Sequence, residues 1–174
     1  MPTEQYLHMA LLLLVSAAAI KDLATRRIPN RLLLAGLAGA LGLRLLSAAP
    51  AAALLDALLG GVIGLALFLP FYLLRGMAAG DVKLMATAGV FAGPHDVVAI
   101  AVLAWCAGGV MALLLVLWRR RLGVALRNLA AMGRSLLVPG LPLAATADGT
   151  SAGSIPYGVA IAAGTIAVLA RHYA

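Results

Sequence analysis

The chain has a single cysteine, Cys106, and it lies inside an apolar run. One cysteine excludes an intrachain disulfide and a cysteine-held zinc site, and here it reads as a small buried apolar residue. Aromatic residues make up only 5% of the chain, too few for a surface that stacks nucleic-acid bases. Charged residues are equally scarce at 11%. The sequence has no HExxH metal motif, no glycine-rich phosphate loop and no internal repeat. Metallopeptidase and nucleotide-binding chemistry therefore have no anchor in it.

What the chain has in excess is apolar material, 64% of 174 residues, with a mean hydropathy of +1.05. A soluble domain of this length cannot keep so much from water, so the natural solvent is a bilayer. Six apolar segments stand out, at roughly 4–20, 31–49, 55–74, 82–94, 97–118 and 155–171. The fourth is short for a span. The sequence Gly93-Pro94-His95-Asp96 divides it from the fifth. The expected fold class is an all-α polytopic membrane protein of about six transmembrane helices, forming one domain over 1–174.

The net charge of +7 suggests nucleic acid only until the basic residues are placed. Lys21, Arg26, Arg27 and Arg31 follow the first segment, and Arg75 and Lys83 fall between the third and fourth. Arg119, Arg120, Arg121, Arg127 and Arg134 follow the fifth. Eleven of the 13 basic residues thus collect on one side, with only Arg44 and Arg171 on the other. The positive-inside rule makes the crowded side the cytoplasm and puts both termini outside it. Residues 9–20 resemble a secretory signal core, but Glu4 before them and Lys21 after them have the wrong polarity. The long connection 119–154 begins with a basic amphipathic stretch, which reads equally as a helix suited to anionic lipid or as a plain positive-inside loop, and ends in a Pro/Gly/Ser/Thr-rich linker.

Acids near membrane segments are costly and need a reason. Glu4, Asp96 and Asp148 read as solvated charges at an end or in loops. Asp56 lies near the outer end of the third segment, where interfacial placement or a pairing with Arg44 accounts for it. Asp22 and Asp81 remain, and topology puts both at the same depth on the cytoplasmic side. Two carboxylates brought together share a proton, so one can activate water while the other protonates a carbonyl. On spacing alone, the simpler reading is that each neutralises an adjacent lysine, Lys21 or Lys83.

The surrounding residues shift that balance. Asp22 opens DLATRRIPN, in which Pro29 suits the start of a helix and Asn30 helps organise it. Asp81 follows Gly80, which permits a close backbone approach or an unusual dihedral. The three motifs D-x-x-x-x-R-I-P-N, G-D-V-K-L and I-P-Y-G resemble, in order and spacing, those of the type IV prepilin peptidase family of GxGD-type membrane aspartic peptidases. That resemblance implies Asp22 and Asp81 as catalytic residues. It implies supporting or substrate-site positions for Gly80, Lys83, Pro29, Asn30, Pro156, Tyr157 and Gly158, with no metal and no cofactor. The chain departs from the family's GxGD at Ala78, which strains the loop if that position needs a positive φ.

The connection 21–30 is too short to hold the zinc-binding methyltransferase insertion of long family members. The chain resembles the short form that serves Flp/Tad-type pili. The implied partners are prepilin and pseudopilin precursors, the bilayer and its anionic cytoplasmic lipids, with no nucleic acid. The implied location is the bacterial inner membrane. Two other classes compete: a small proton-coupled transporter, which would use Asp56 as much as Asp22, and a non-enzymatic assembly protein of a pilus or secretion machine.

Overall fold

The computed structural model describes residues 2–74, 76–118, 123 and 156–174. Ile155 and all of the connection 119–154 except Gly123, including its amphipathic stretch, lie outside the described residues. Among the described residues the chain forms six helices and no strand. They are α1 (Pro2–Thr25), α2 (Asn30–Leu45), α3 (Pro50–Leu73), α4 (79–92), α5 (94–118) and α6 (Tyr157–Tyr173). Residues 1–107 and 156–174 make one compact unit, and 108–155 belong to a second that includes the far end of α5. Every contact described below lies within the first unit.

The helices α4 and α5 run on from one another through Gly93, whose φ of 80° and ψ of 177° are not helical. The cause is local. Pro94 disfavours a helical residue before it, and glycine reaches positive φ without a Cβ clash. The break frees carbonyls at the end of α4, and Arg44 Nη2 donates to one of them, Phe91 O, at 2.8 Å. Arg44 Nη1 donates to Ala53 O at 3.4 Å. The expected Arg44–Asp56 pairing is therefore replaced by backbone capping, and Asp56 contributes only longer-range electrostatics.

Periodicity explains which residues turn inward. The buried face of α1 runs Leu7, Leu11, Leu14, Val15 and Ala18 at helical spacing. Against it pack α6 and α2, and α3 packs on α2. The helices α3 and α4 approach until Gly60 meets Gly89 with no room for a Cβ on either. Close contact through small residues is how helices associate in lipid, where apolar burial gives no net drive. The outer surface is apolar as well, with Leu13, Leu34, Leu46, Leu58 and Leu73 exposed. Cys106 is also exposed. The expectation of burial fails because in a bilayer an apolar side chain is as well placed on the rim as in the core.

Among the described residues three stretches are long and apolar enough to cross a membrane: Thr3–Thr25, Pro50–Leu73 and Ala79–Trp118. With 16 and 17 residues, α2 and α6 are shorter than the ~20 that a perpendicular span needs. The described residues are thus all helical or in short turns, and the chain is a membrane protein. The helices coincide with the six apolar runs, and α4 starts at 79, earlier than its apolar run.

Candidate active site

The inward stripe of α1 does not stop where the apolar residues do. One helical step past Ala18 comes Asp22, which is 7% exposed. On α4, Asp81 begins a stripe that continues through Leu84, Met85 and Ala88, and it is 6% exposed. Both carboxylates are therefore directed inward by helical register, and their charges lie close enough to act on one another. Lys83 is off the α4 stripe and exposed, as is Lys21. Among the described residues neither lysine forms an ion pair with either aspartate, so mutual lysine neutralisation does not account for the two acids.

Each carboxylate instead accepts a backbone N–H at a helix N-terminus. In α4 the first helical residue is Ala79, so Ala78 occupies the cap position and Asp81 the third position of the helix. Asp81 Oδ2 reaches back to accept from Ala78 N at 3.2 Å. This is the side-chain half of a capping box. Asp22 caps a different helix. Pro156 occupies the cap position of α6 with no side-chain hydrogen bond, and proline has no polar side chain to supply one. Asp22 Oδ2 takes that role, accepting from Gly158 N at 2.8 Å across 136 residues.

That contact assigns parts to the C-terminal motif. A Cβ on Gly158 would lie 3.0 Å from Asp22 Oδ2 and 3.1 Å from Asp22 Cβ. The missing side chain is what lets the carboxylate reach the N–H. Tyr157, half-buried, lies within electrostatic reach of Asp81 and stands edge-on to Phe68, with ring centroids 6.1 Å apart. Pro156, Tyr157 and Gly158 thus join the aspartates at one end of the bundle.

The turn after Asp22 is built by its own sequence. Arg26 adopts a left-handed conformation with φ 53°, which ends α1. The Thr25 hydroxyl donates to Lys21 O at 2.9 Å. Pro29 sits at the cap of α2 in an extended conformation, one position before the helix proper, and its carbonyl accepts from Leu32 N at 3.1 Å. Asn30 is the first residue of α2, and its Oδ1 accepts from Lys83 Nζ at 3.3 Å. This bond ties the IPN turn to the start of α4.

Two sequence expectations change here. Ala78 carries no strain, because among the described residues Arg26 is the only non-glycine with positive φ. Its contribution is an N–H, which alanine and glycine supply alike. Gly80 needs neither a positive φ nor unusually close packing. A Cβ there would stand 3.4 Å from Ile28 Cβ, at ordinary contact distance.

The Asp22–Gly158 bond was beyond the reach of residue spacing. The one signal for it was a proline followed two residues later by glycine at the head of an apolar run. A groove of about 580 Å3 opens between α2, α3 and α4, with Asn30 and Lys83 on its wall.

No curated protein and no solved structure matches the chain. The sequence profile of the type IV leader peptidase family matches residues 9–113, more than half of it and including both aspartates. Pro156, Tyr157 and Gly158 lie beyond the matched stretch and join the site on geometry alone. With two buried carboxylates at helix ends of a helical membrane protein, and that profile spanning both of them, the chain belongs to the type IV leader peptidase family.

Proposed function

We propose that this protein is a membrane aspartic endopeptidase that removes the cytoplasmic leader of type IV prepilins, with Asp22 and Asp81 as its catalytic pair. The observation that carries this reading is two buried carboxylates within electrostatic reach of one another, each with a backbone donor and, among the described residues, neither in an ion pair with a lysine or arginine. A carboxylate kept as a structural charge is ordinarily matched by a lysine or arginine. Two acids left facing one another are suited to exchange protons with water and substrate.

In the proposed reaction, a water between the carboxylates gives a proton to the ionised one as its oxygen bonds to the scissile carbonyl carbon. The protonated partner gives its proton to the carbonyl oxygen, forming a tetrahedral diol. Collapse breaks the C–N bond, and a carboxyl proton passes to the departing amine. The backbone donors Ala78 N and Gly158 N orient the two side chains throughout.

The finer reading is a short, methyltransferase-free peptidase of Flp/Tad-type pili, spanning the bacterial inner membrane six times with its site facing the cytoplasm and both termini outside. The basic residues after α1 and at the start of α4 support that orientation. The transporter reading loses ground because Asp56 is exposed near the start of α3 rather than buried at mid-depth.

The test is co-expression of a prepilin precursor with wild type, Asp22→Asn, Asp81→Asn and Asp56→Asn, following leader loss by gel shift. Cleavage should survive only in wild type and Asp56→Asn. Processing by either of the other two at the wild-type rate rules the assignment out.

A further inference from the structure

The turn after Asp22 grips the start of α4 on both sides of Asp81. Ile28 packs on Gly80, the residue before Asp81, since a Cβ on that glycine would stand 3.4 Å from Ile28 Cβ. Asn30 Oδ1 accepts from Lys83 Nζ at 3.3 Å, two residues past Asp81. The turn itself is stiff. Arg26 N donates to Asp22 O at 2.9 Å, which seats the turn on the aspartate's own backbone. The Thr25 hydroxyl stands 3.1 Å from Arg27 O. Pro29 has its φ fixed at −65° by its ring. With no glycine among residues 26–30, the backbone has little freedom to change its reach.

We propose that the turn 26–30 is a strut that sets the separation of Asp22 and Asp81, with Ile28 and Asn30 as its positioning residues. The proposal rests on the peptidase reading and adds what holds the two acids at a working distance. Their own hydrogen bonds do not span the gap between them. Asp22 Oδ2 is bonded to the start of α6, and Asp81 Oδ2 to the cap of its own helix. Those bonds orient each side chain separately. The strut begins at Asp22 O and ends on the residues that flank Asp81, so it connects one acid to the other. Separation matters because both carboxylates must reach one water and one carbonyl.

The test uses the full chain in liposomes and a synthetic peptide with a basic leader, a small-residue junction and about 20 apolar residues. Ile28→Ala removes the packing on Gly80, Asn30→Ala removes the bond to Lys83, and neither changes a charge. The expected loss in kcat is about tenfold for Ile28→Ala and about three- to tenfold for Asn30→Ala, with KM within about twofold of wild type.

The pH–rate profile separates positioning from folding. Two carboxylates held close lose their protons in well-separated steps, and the form with one proton is active over the interval between them. Acids moved apart bring those steps together, so the bell should narrow in both variants. Bells of wild-type width, or unchanged kcat in both variants, overturn the strut and leave the peptidase reading intact.

A disulfide provides the reverse experiment. The 3.4 Å between the Cβ positions at 28 and 80 is at the short edge of what a disulfide bridges. In a Cys106→Ser background, Ile28→Cys with Gly80→Cys is added to Asn30→Ala. Oxidation should bring kcat back to within about twofold of wild type and restore the width of the bell, and reduction should undo both. An oxidised protein without activity would mean that the turn and α4 must part during the reaction, which also overturns the strut. Failure of the wild type to cut the peptide at any pH removes the peptidase reading, and this inference with it.

Discussion

The bundle has a carboxylate cluster at each end, and the two are built on different chemistry. At one end Asp22 and Asp81 are buried, lie within electrostatic reach of one another and each accept a backbone N–H. At the other, Asp96 at the start of α5 is held by imidazoles. His172 Nε2 lies 2.9 Å from its Oδ2 and His95 Nδ1 lies 3.0 Å from its Oδ1. The third histidine of the chain, His8, is there as well, with Nδ1 3.1 Å from Tyr173 Oη and its ring 5.3 Å from that of His172.

The two ends share α1 and are separated by about 21 Å of helical rise between His8 and Asp22. A carboxylate matched by imidazoles ties α5 to α6 and asks nothing more of its surroundings. Carboxylates without such partners have capacity left for water and substrate. The solvated-loop reading of Asp96 is corrected by this cluster, because one of its partners, His172, lies on α6, 76 residues later.

The comparison is broken or sharpened most strongly at the buried pair. Asp22→Asn and Asp81→Asn should each lower leader cleavage by about 10²–10⁴-fold, the range of a lost general acid or base. The double variant should be no worse than the poorer single one, because two groups that act as a unit lose their contribution once. Rates that multiply in the double variant would mean that the aspartates act separately. Circular dichroism of each variant in detergent separates a lost proton carrier from a lost fold.

The next effect is Gly158→Ala. Its new methyl would crowd Asp22 Oδ2 at 3.0 Å, so the carboxylate must turn from the α6 N-terminus. A displacement of this kind should lower kcat by about 10- to 100-fold, with KM nearly unchanged. Gly80→Ala makes a fair comparison, since its methyl would meet Ile28 at an ordinary distance, and its effect should be clearly smaller. Equal losses at the two glycines would mean that the Asp22–Gly158 bond is incidental.

At the other end, Asp96→Asn should leave cleavage within about twofold while lowering stability by about 1 kcal/mol, as expected for a partly exposed polar tether. Thermal unfolding in detergent measures the second quantity and gel shift the first. A large loss of cleavage with little loss of stability would join the two ends functionally and cancel the contrast drawn here.

Much of this arrangement is legible in the residues alone. Apolar runs located the six helices of the described residues, because each helix buries or presents to lipid a continuous apolar stretch. Gly93-Pro94 marked the break between α4 and α5, since that dipeptide acts through its own backbone. The placement of Asp22 and Asp81 at one end of the bundle was legible from charge placement, although charge alone favoured neutralisation by lysine.

Contacts between distant segments were not legible. The alanines of α1 and α4 suggested close packing there, yet the closest backbone approach shown by the glycines is Gly60 on α3 against Gly89 on α4. Nothing in α1 points to Gly158, and nothing near Asp96 points to His172. Side-chain identity gives capacity for a bond, and the fold chooses its partner.

The smallest effect concerns the residue that most clearly departs from the family's pattern. Ala78 donates its backbone N–H to Asp81 Oδ2 at 3.2 Å and does not hold a positive φ. Replacing it by glycine keeps that donor and restores the family's residue. Glycine is the somewhat better cap, by a fraction of a kcal/mol, so Ala78→Gly should change cleavage by less than about twofold. A gain of tenfold or more would mean that the catalytic conformation needs dihedral freedom at this position, and that substrate closes the loop into a different shape. A near-silent substitution would instead mark the first glycine of GxGD as a position read here through its N–H alone.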